Sequence, residues 1–314
     1  MSISAKVILD SWSETKSRLI TVEATYPRFI HSEFMTHRCF SRNAASSRAI
    51  PVKKKIEAVR KDMAVPVEWG KNQKGMQAEE ILSEEREAWA KECWRAAGNF
   101  CLEIAEILDG YGVHKQIANR VFEPWSHITT VITGTEWSNF FFLRTHKDAQ
   151  PEFQALAKCI QKAIEESKPE YVDSCNWHTP YILKGEYETL DVETRKKVSA
   201  ARCARLSYLT QDGKHDVEAD LKLFDRLVSR ENPVVDPGHW SPLEHVAKPM
   251  ANFYYISPQN FAGCDVCYAA TARKPIGVLK LRKQLCDKCG LGHRTSGNFE
   301  GWTQFRKEFE YECH

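Results

Sequence analysis

Residues 36–48 of this 314-residue chain read THRCFSRNAASSR, a run of hydroxyl, amide and guanidinium side chains without the period of a helix or a strand. Such a loop suits a phosphorylated ligand, because arginine binds phosphate through two parallel hydrogen bonds, and small hydroxyls and backbone N–H groups complete the shell. A polar loop that caps a helix would have a similar composition. This stretch alone therefore leaves both interpretations open.

The segments around this loop predict strands before it and helices on either side. Branched residues at 5–9 (AKVIL) and 18–25 (RLITVEAT) predict two strands joined by a polar connector. Pro27 then opens a predicted helix that runs to Arg38, and the loop extends over 39–55. Helical spacing of apolar residues predicts further helices over 78–110, 114–146, 151–167, 193–206 and 216–230.

Composition excludes several classes of protein. The 44 Lys and Arg residues nearly balance the 42 Asp and Glu residues, so the net charge of +2 gives no global electrostatic case for nucleic acid. No uncharged apolar run approaches the roughly 18 residues that cross a bilayer, and the N-terminus lacks the pattern of a secretion signal. The sequence therefore predicts a cytoplasmic protein that does not bind membranes.

The clearest spacing signal is a doubled CxxC motif. Cys264 and Cys267 form the first pair, and Cys286 and Cys289 form the second. Each pair can place two thiolates on one tetrahedral ion, so the spacing predicts a structural Zn²⁺ site with a closed coordination shell. Four buried thiols without a metal are the alternative.

Three segments in order resemble the flavin-dependent thymidylate synthases, the ThyX family. HRCFSRNAASSR at 37–48 resembles the family signature, and GVHKQIANRVFEP at 112–124 and TGTEWSNFFFLRTHKDAQPEF at 133–153 resemble its characteristic helices. The resemblance implies an α+β fold in which helices flank an antiparallel sheet. It also implies reductive methylation of dUMP at C5, with methylenetetrahydrofolate as the one-carbon donor and with FAD and NADPH. The partners are then nucleotides and folates, and a homotetramer forms the sites between subunits.

The order of the remaining segments differs from that of the family. SAARCARLSY at 199–208 and HWSPLEH at 239–245 resemble segments that precede the family signature, yet they follow it in this chain. A circular permutation accounts for this order, since permutation is tolerated where termini lie close together. The implied organisation is a signature part at 1–170, a linker at 171–192, and a permuted part at 193–314 with the zinc ribbon inserted at about 258–295.

The resemblance also implies roles for individual residues. Arg144, Arg120 and Ser46 would be catalytic. The substrate would be bound by Glu33, Ser46, Ser47, Arg48, Arg120 and Arg144. The cofactors would be bound by His37, Arg38, Asn43, Asn139, Ser241 and His239. Arg120 and Arg144 could instead be surface arginines in salt bridges, and His239 could be a structural hydrogen-bonding residue.

Departures from the family pattern leave the substrate open. Thr36 replaces an arginine, Ala44 an acidic residue, Ser47 a glycine and Glu33 a glutamine; Thr133 and Thr135 stand where the family has Asn and Arg. Gln304 and Arg306, in a C-terminal element at 296–312, could restore some of these contacts. Two alternatives follow: FAD-dependent methyl or hydroxymethyl transfer to another pyrimidine nucleotide, or a zinc-containing nucleic-acid-binding protein on a disabled synthase fold.

Overall fold

The computed structural model of the protein describes residues 3–75, 77–207, 216–228, 238–250 and 298–309. The main sheet contains β1 (Ser4–Trp12), β2 (Arg18–Pro27), β3 (Ser41–Ala44), β4 (His127–Gly134) and β5 (Glu170–Tyr171). Its order is β3-β4-β2-β1-β5, and each neighbouring pair is antiparallel except β1 with the short β5. A second sheet pairs β6 (Ala247–Pro249) with β7 (Trp302–Gln304).

Nine α-helices occur in the described ranges. They are α1 (His31–Phe34), α2 (Val52–Lys61), α3 (Glu84–Gly110), α4 (Lys115–Ala118), α5 (Ser138–Arg144), α6 (Pro151–Glu166), α7 (Lys184–Thr189), α8 (Val192–Ala204) and α9 (Val217–Val228). Short 3-10 helices cover Arg28–Ile30, Glu123–Trp125, Arg205–Ser207, Ser241–His245 and Phe305–Glu308. The α+β class, with helices around an antiparallel sheet, is confirmed, and so are the predicted strands at the start of the chain. The predicted helices at 151–167, 193–206 and 216–230 are confirmed as α6, α8 and α9.

The predicted helix over 114–146 is wrong, because its middle is β4, a central strand of the sheet. Residues 128, 130–134 of this strand are all buried, so the strand lacks the alternation of polar and apolar residues that marks a half-buried strand. Val131 faces one side of the sheet and Ile132 the other, and both are fully buried.

Three boundaries also differ from prediction. The helix opened by Pro27 ends at Phe34, and the loop predicted over 39–55 contains β3 and the start of α2. The long helix α3 begins at Glu84 rather than at residue 78, because the preceding residues pair with another segment of backbone. Leu82 N donates to Trp69 O at 2.8 Å, and Lys71 N donates to Glu80 O at 2.7 Å.

The two faces of the main sheet are covered by different parts of the chain. On the first face, alternate residues of β2 pack with aromatic residues and with α6. The members of this core include Ile20, Val22, Ala24, Tyr26, Phe34, Phe140, Phe153, Leu156, Ala157 and Ile160. The second face meets α8, the 3-10 helix Ser241–His245, the segment around His178 and the C-terminal residues from 298 onward.

No helix within the described ranges is both long enough and apolar enough to span a membrane.

Candidate functional site

Strand β3 and the turn after it hold the residues predicted from the sequence signature. Asn43 is paired with Val131 of β4, and Ala45 N donates to Thr129 O at 2.9 Å, so the chain leaves the sheet at residue 45. Asn119 then fixes the turn, since its Nδ2 donates to Ser47 O at 2.7 Å and to Ile50 O at 2.9 Å. The sequence analysis did not single out Asn119, although it lies beside Arg120 in the segment IANRVFEP.

The partly buried carboxylate of Glu123 lies close to three polar side chains beside this turn. The Ser47 hydroxyl donates to Glu123 Oε1 at 2.6 Å, Arg28 Nη2 lies 3.0 Å from the same oxygen, and Arg120 Nη1 lies 3.6 Å from Oε2. Burial opposes ionisation of Glu123, but the Ser47 hydrogen bond and the charges of Arg28 and Lys55 outweigh it and lower the pKa of the carboxyl. Glu123 and Arg28 were not predicted as site residues, although Glu123 lies in GVHKQIANRVFEP, one of the segments that resemble the family.

Ser46 and Arg48 occupy the open side of the same turn. Arg48 is exposed, and its backbone N donates a 3.3 Å hydrogen bond to Ser46 Oγ. The Ser46 hydroxyl accepts this hydrogen bond and can therefore still donate its proton to a ligand, whereas the Ser47 hydroxyl donates its proton to Glu123. Together with Arg120, whose side chain is 61% exposed, this turn offers a guanidinium-lined surface to an anion.

A second group joins Glu33, His37 and Arg144. Arg144 Nε donates to His37 Nε2 at 2.9 Å, Arg144 also forms an ion pair with Glu33, and its guanidinium carbon lies 4.6 Å from the centroid of the Phe153 ring. Burial, with the charges of Arg144 and Arg42, lowers the pKa of His37 to about 4. The imidazole is therefore neutral at pH 7, accepts through Nε2 and has its proton on Nδ1.

The predicted cofactor residues are divided between interior and surface. Asn43 is buried and donates through Nδ2 to Cys203 O of α8 at 2.6 Å. His239 and Ser241 are within hydrogen-bond distance of each other, with 3.0 Å between Nε2 and Oγ, and burial lowers the pKa of His239. Arg38 and Asn139 are exposed.

The structure does not join all predicted residues into one cluster. Within the described ranges, no hydrogen bond or ion pair links Arg144 to Arg120 or to the turn at Ser46–Arg48. The predicted metal ligands Cys264, Cys267, Cys286 and Cys289 lie outside the described residues. Inside those residues, no group of three or more His, Cys, Asp or Glu side chains is arranged to hold a metal ion.

Two of the residues that depart from the family pattern, Thr133 and Thr135, make contacts on the second face of the sheet. Thr133 Oγ1 lies 2.7 Å from Thr21 Oγ1 and 2.8 Å from His245 Nδ1, and Thr135 Oγ1 accepts a 3.0 Å hydrogen bond from Glu300 N. The C-terminal element also reaches the signature strand, because Gln304 Nε2 donates to Ser41 Oγ at 2.8 Å. Arg306 forms an ion pair with Glu244 of HWSPLEH.

Comparison with protein-family models gives a match over about half of the chain. The profile of the thymidylate synthase complementing protein family matches residues 9–170, which include the signature loop, the turn at Ser46–Arg48 and Arg144. A search of curated proteins finds no match.

Comparison with solved structures finds proteins of low sequence identity. The flavin-dependent thymidylate synthase ThyX from Helicobacter pylori, complexed with FAD and dUMP, is 20% identical, with a TM-score of 0.33; the match covers 46% of this chain and 67% of that one. The UMP/dUMP methylase PolB from Streptomyces cacaoi, bound with 5-Br dUMP, is 16% identical, with a TM-score of 0.44; the match covers 52% of this chain and 90% of that one.

Proposed function

Because this chain belongs to the thymidylate synthase complementing protein family, we propose that it is a flavin-dependent enzyme that methylates C5 of dUMP. Methylenetetrahydrofolate is the one-carbon donor and NADPH the reductant. The observation that carries the proposal is the turn at Ser46–Arg48, which lies within the family match, is fixed by Asn119 and presents hydroxyl and guanidinium groups beside Arg120.

The two groups of site residues suit the two ends of a nucleotide. The turn, with Ser46, Arg48 and Arg120, binds the phosphate. Arg144 binds the uracil ring, because two of its five N–H groups are held by Glu33 and His37 and the others remain for carbonyl oxygens. A fixed guanidinium beside the base stabilises negative charge on the ring carbonyl oxygens as C5 is activated to attack the one-carbon unit.

The residues present fit FAD in part. An anionic dinucleotide can reach the exposed guanidinium of Arg38. It can also reach the hydrogen-bonding groups of Asn139, His239 and Ser241, which lie at or near the surface. Asn43 and His37 are engaged within the protein, so they position the loop rather than contact the cofactor. Bound reduced flavin supplies the hydride of the reaction.

A homotetramer is part of the proposal, and helix α3 supports self-association. Only Gly98, Leu102 and Ala105 of its 27 residues are buried. An opposite stripe of exposed residues follows at spacings of three, four or seven, a pattern typical of packed helices. This stripe consists of Trp89, Cys93, Ala96, Phe100 and Ile107. Changing both Trp89 and Phe100 to Glu should lower the molar mass measured by light scattering, whereas an unchanged mass would contradict this interface.

The permutation and the zinc ribbon remain proposals of unequal support. Permutation is favoured by two contacts that place α8 and HWSPLEH against the sheet. Asn43 of β3 contacts Cys203 O of α8, and Thr133 of β4 contacts His245. The division at 1–170, 171–192 and 193–314 follows from it.

The zinc ribbon at about 258–295 rests on the CxxC spacing alone. Metal analysis of the purified protein should find about one Zn²⁺ per chain, and a folded, metal-free sample would contradict the site.

The decisive experiment is a visible spectrum of the protein with FAD, before and after addition of dUMP, followed by turnover with methylenetetrahydrofolate and NADPH. We expect flavin bands that shift with dUMP, and formation of dTMP. Arg144→Ala should weaken dUMP binding by about 10- to 100-fold, as expected for loss of charged hydrogen bonds. Lys147→Ala, an exposed change three residues away, is the control and should bind as the wild type does. Unchanged binding by Arg144→Ala would contradict the assignment.

A second candidate is transfer of a methyl or hydroxymethyl group to another pyrimidine nucleotide. The observation in its favour is Glu33, a carboxylate in place of the family's glutamine, which holds Arg144 in an ion pair. Parallel turnover of dUMP, UMP and dCMP, with mass analysis of the product, separates the two candidates. Absence of bound flavin together with salt-dependent binding of DNA or RNA would instead favour a nucleic-acid-binding protein.

A further inference from the structure

Lys55 is a buried lysine on α2, the helix that follows the turn we assign to the phosphate, and it acts electrostatically on Glu123, the carboxylate that Ser47 of this turn contacts. It lies on α2 beside Val52, Ile56 and Val59, which are buried in the core formed with α3 and α4. Only 6% of Lys55 is exposed, and its Nζ lies 5.6 Å from the centroid of the Phe122 ring. Placing an ammonium group in such a position costs free energy unless other charges compensate.

The groups around Lys55 leave an excess of positive charge. Arg28, Glu123 and Arg120 act on it electrostatically, and Glu123 is the carboxylate among them. That carboxylate already accepts from Ser47 and pairs with Arg28. Three cations and one anion give a net charge of +2 in a partly buried space. Burial, followed by the charge of Arg28, lowers the pKa of Lys55 to about 8.

A phosphate monoester is the ligand whose charge matches this excess. It carries about −1.5 to −2 charges at pH 7, because its second pKa is near 6. We propose that Lys55 is a specificity-determining residue, whose ammonium group makes the site select a nucleotide with a dianionic 5′-phosphate over the corresponding nucleoside. The inference rests on the proposed function, since it takes the Ser46–Arg48 turn as the phosphate site, and it adds a residue on α2 to that site.

Binding of the dianion should change the protonation of Lys55. Near pH 8.5 part of the Lys55 population is neutral in the ligand-free protein, and a bound dianion favours the charged form, so binding takes up a proton. The other groups that face Lys55 are Arg28, Arg120 and Glu123. Guanidinium groups are not deprotonated in proteins, and the pKa of Glu123 is lowered, away from this pH. The phosphate itself is fully ionised at that pH.

The experiment measures binding of dUMP and of deoxyuridine by calorimetry to the wild type and to three variants. Lys55→Met should weaken dUMP binding by about 10- to 100-fold, with deoxyuridine binding unchanged. Lys55→Arg should keep dUMP affinity but lose the proton uptake at pH 8.5, seen as a dependence of the binding enthalpy on the buffer. Lys54→Met, an exposed neighbour on the same helix, is the matched control and should behave as the wild type.

Each result decides the proposal. Wild-type dUMP affinity in Lys55→Met, or equal weakening of dUMP and deoxyuridine, would overturn it. Folding is checked by the melting temperature, which Met should not lower, because an apolar side chain of similar length replaces a buried charge. If the wild type binds no dUMP, the proposed function fails. Thermal stabilisation by inorganic phosphate, present in the wild type and lost in Lys55→Met, then tests Lys55 on its own, and its absence from both would overturn this inference as well.

Discussion

The two faces of the main sheet are held by different kinds of interaction. The first face is an apolar core in which β2, α5 and α6 pack aliphatic and aromatic side chains, and its fully buried members all lie within residues 20–164. The second face is crossed by a buried chain of hydrogen bonds from Ser11 through His178, Thr21 and Thr133 to His245. Its four contacts measure 2.7–2.8 Å, and they join residues more than 100 positions apart in sequence.

This difference explains how each face is specified. Apolar packing tolerates exchange among side chains of similar volume, so a hydrophobic period is enough to build the first face. Each hydroxyl of this chain has one proton to donate and each neutral imidazole has one N–H, so the direction of each hydrogen bond depends on that of its neighbours. The chain therefore fixes where the segment around His178 and HWSPLEH lie on the sheet, and it should fail as a unit.

The largest expected effect is that of acid on the second face. Burial lowers the pKa of both His178 and His245 to about 3, with the charge of His245 adding to the effect on His178. The unfolded chain protonates these histidines near pH 6.5 and the folded chain does not, so stability is lost as pH falls below 6.5. From pH 7 to 4.5 the two should reduce the free energy of unfolding by about 5 kcal/mol together.

Urea unfolding of His178→Gln at both pH values measures how much the free energy of unfolding falls in acid. About half of the fall that we assign to the two histidines should be absent, relative to the wild type. His146→Gln changes an exposed histidine and should leave the pH dependence as it is. An identical pH dependence in His178→Gln would mean that the second face is not the acid-sensitive one. His31 and His37, whose pKa values burial lowers to about 4, contribute to the pH dependence of every variant and would then be its main source.

Truncation in the first face should come next. Leu156 of α6 is fully buried in the core, and Leu156→Ala should reduce the free energy of unfolding by about 4 kcal/mol, the usual cost of a large cavity. Its dependence on pH should not change, because no titrating group is removed. Leu143→Ala, at a site 46% exposed, is the control and should cost far less. A small effect at Leu156 would mean that this core adjusts to fill the cavity.

Elements with a clear hydrophobic period were predictable from the sequence. A strand buried on both faces and contacts between segments far apart in sequence were not. The strands β1 and β2 were predictable from their branched residues, and the helices α6 and α9 from one apolar side each. Helix α8 was predicted correctly although it is buried on more than one side. Strand β4 was missed because it is buried on both faces. The segments that resemble the family predicted Ser46, Ser47, Arg48 and Arg144 as site residues. They did not predict that Asn119 and Glu123 hold the turn, because no local pattern predicts which elements meet.

Breaking the hydrogen-bonded chain at its centre should cost less than either preceding change. Thr133→Val keeps the shape of the side chain but leaves Thr21 and His245 Nδ1 without their partner. The free energy of unfolding should fall by about 2 kcal/mol. Thr133→Ser retains the hydroxyl and is the control. A double-mutant cycle with Thr21→Val measures the coupling, and strictly additive effects of the two changes would argue against a chain that acts as a unit.

The smallest effect tests whether the second face depends on its chain or on any buried hydrogen bond. Ser199 of α8 is fully buried and donates to Pro180 O at 2.7 Å, outside the chain from Ser11 to His245. Ser199→Ala should cost about 1 kcal/mol, the net contribution of one hydrogen bond. It should add to Thr133→Val without coupling, because the two sites share no partner. Coupling as large as that between Thr21 and Thr133 would show that α8 and the chain form one cooperative unit, which would extend the all-or-none behaviour to the entire second face.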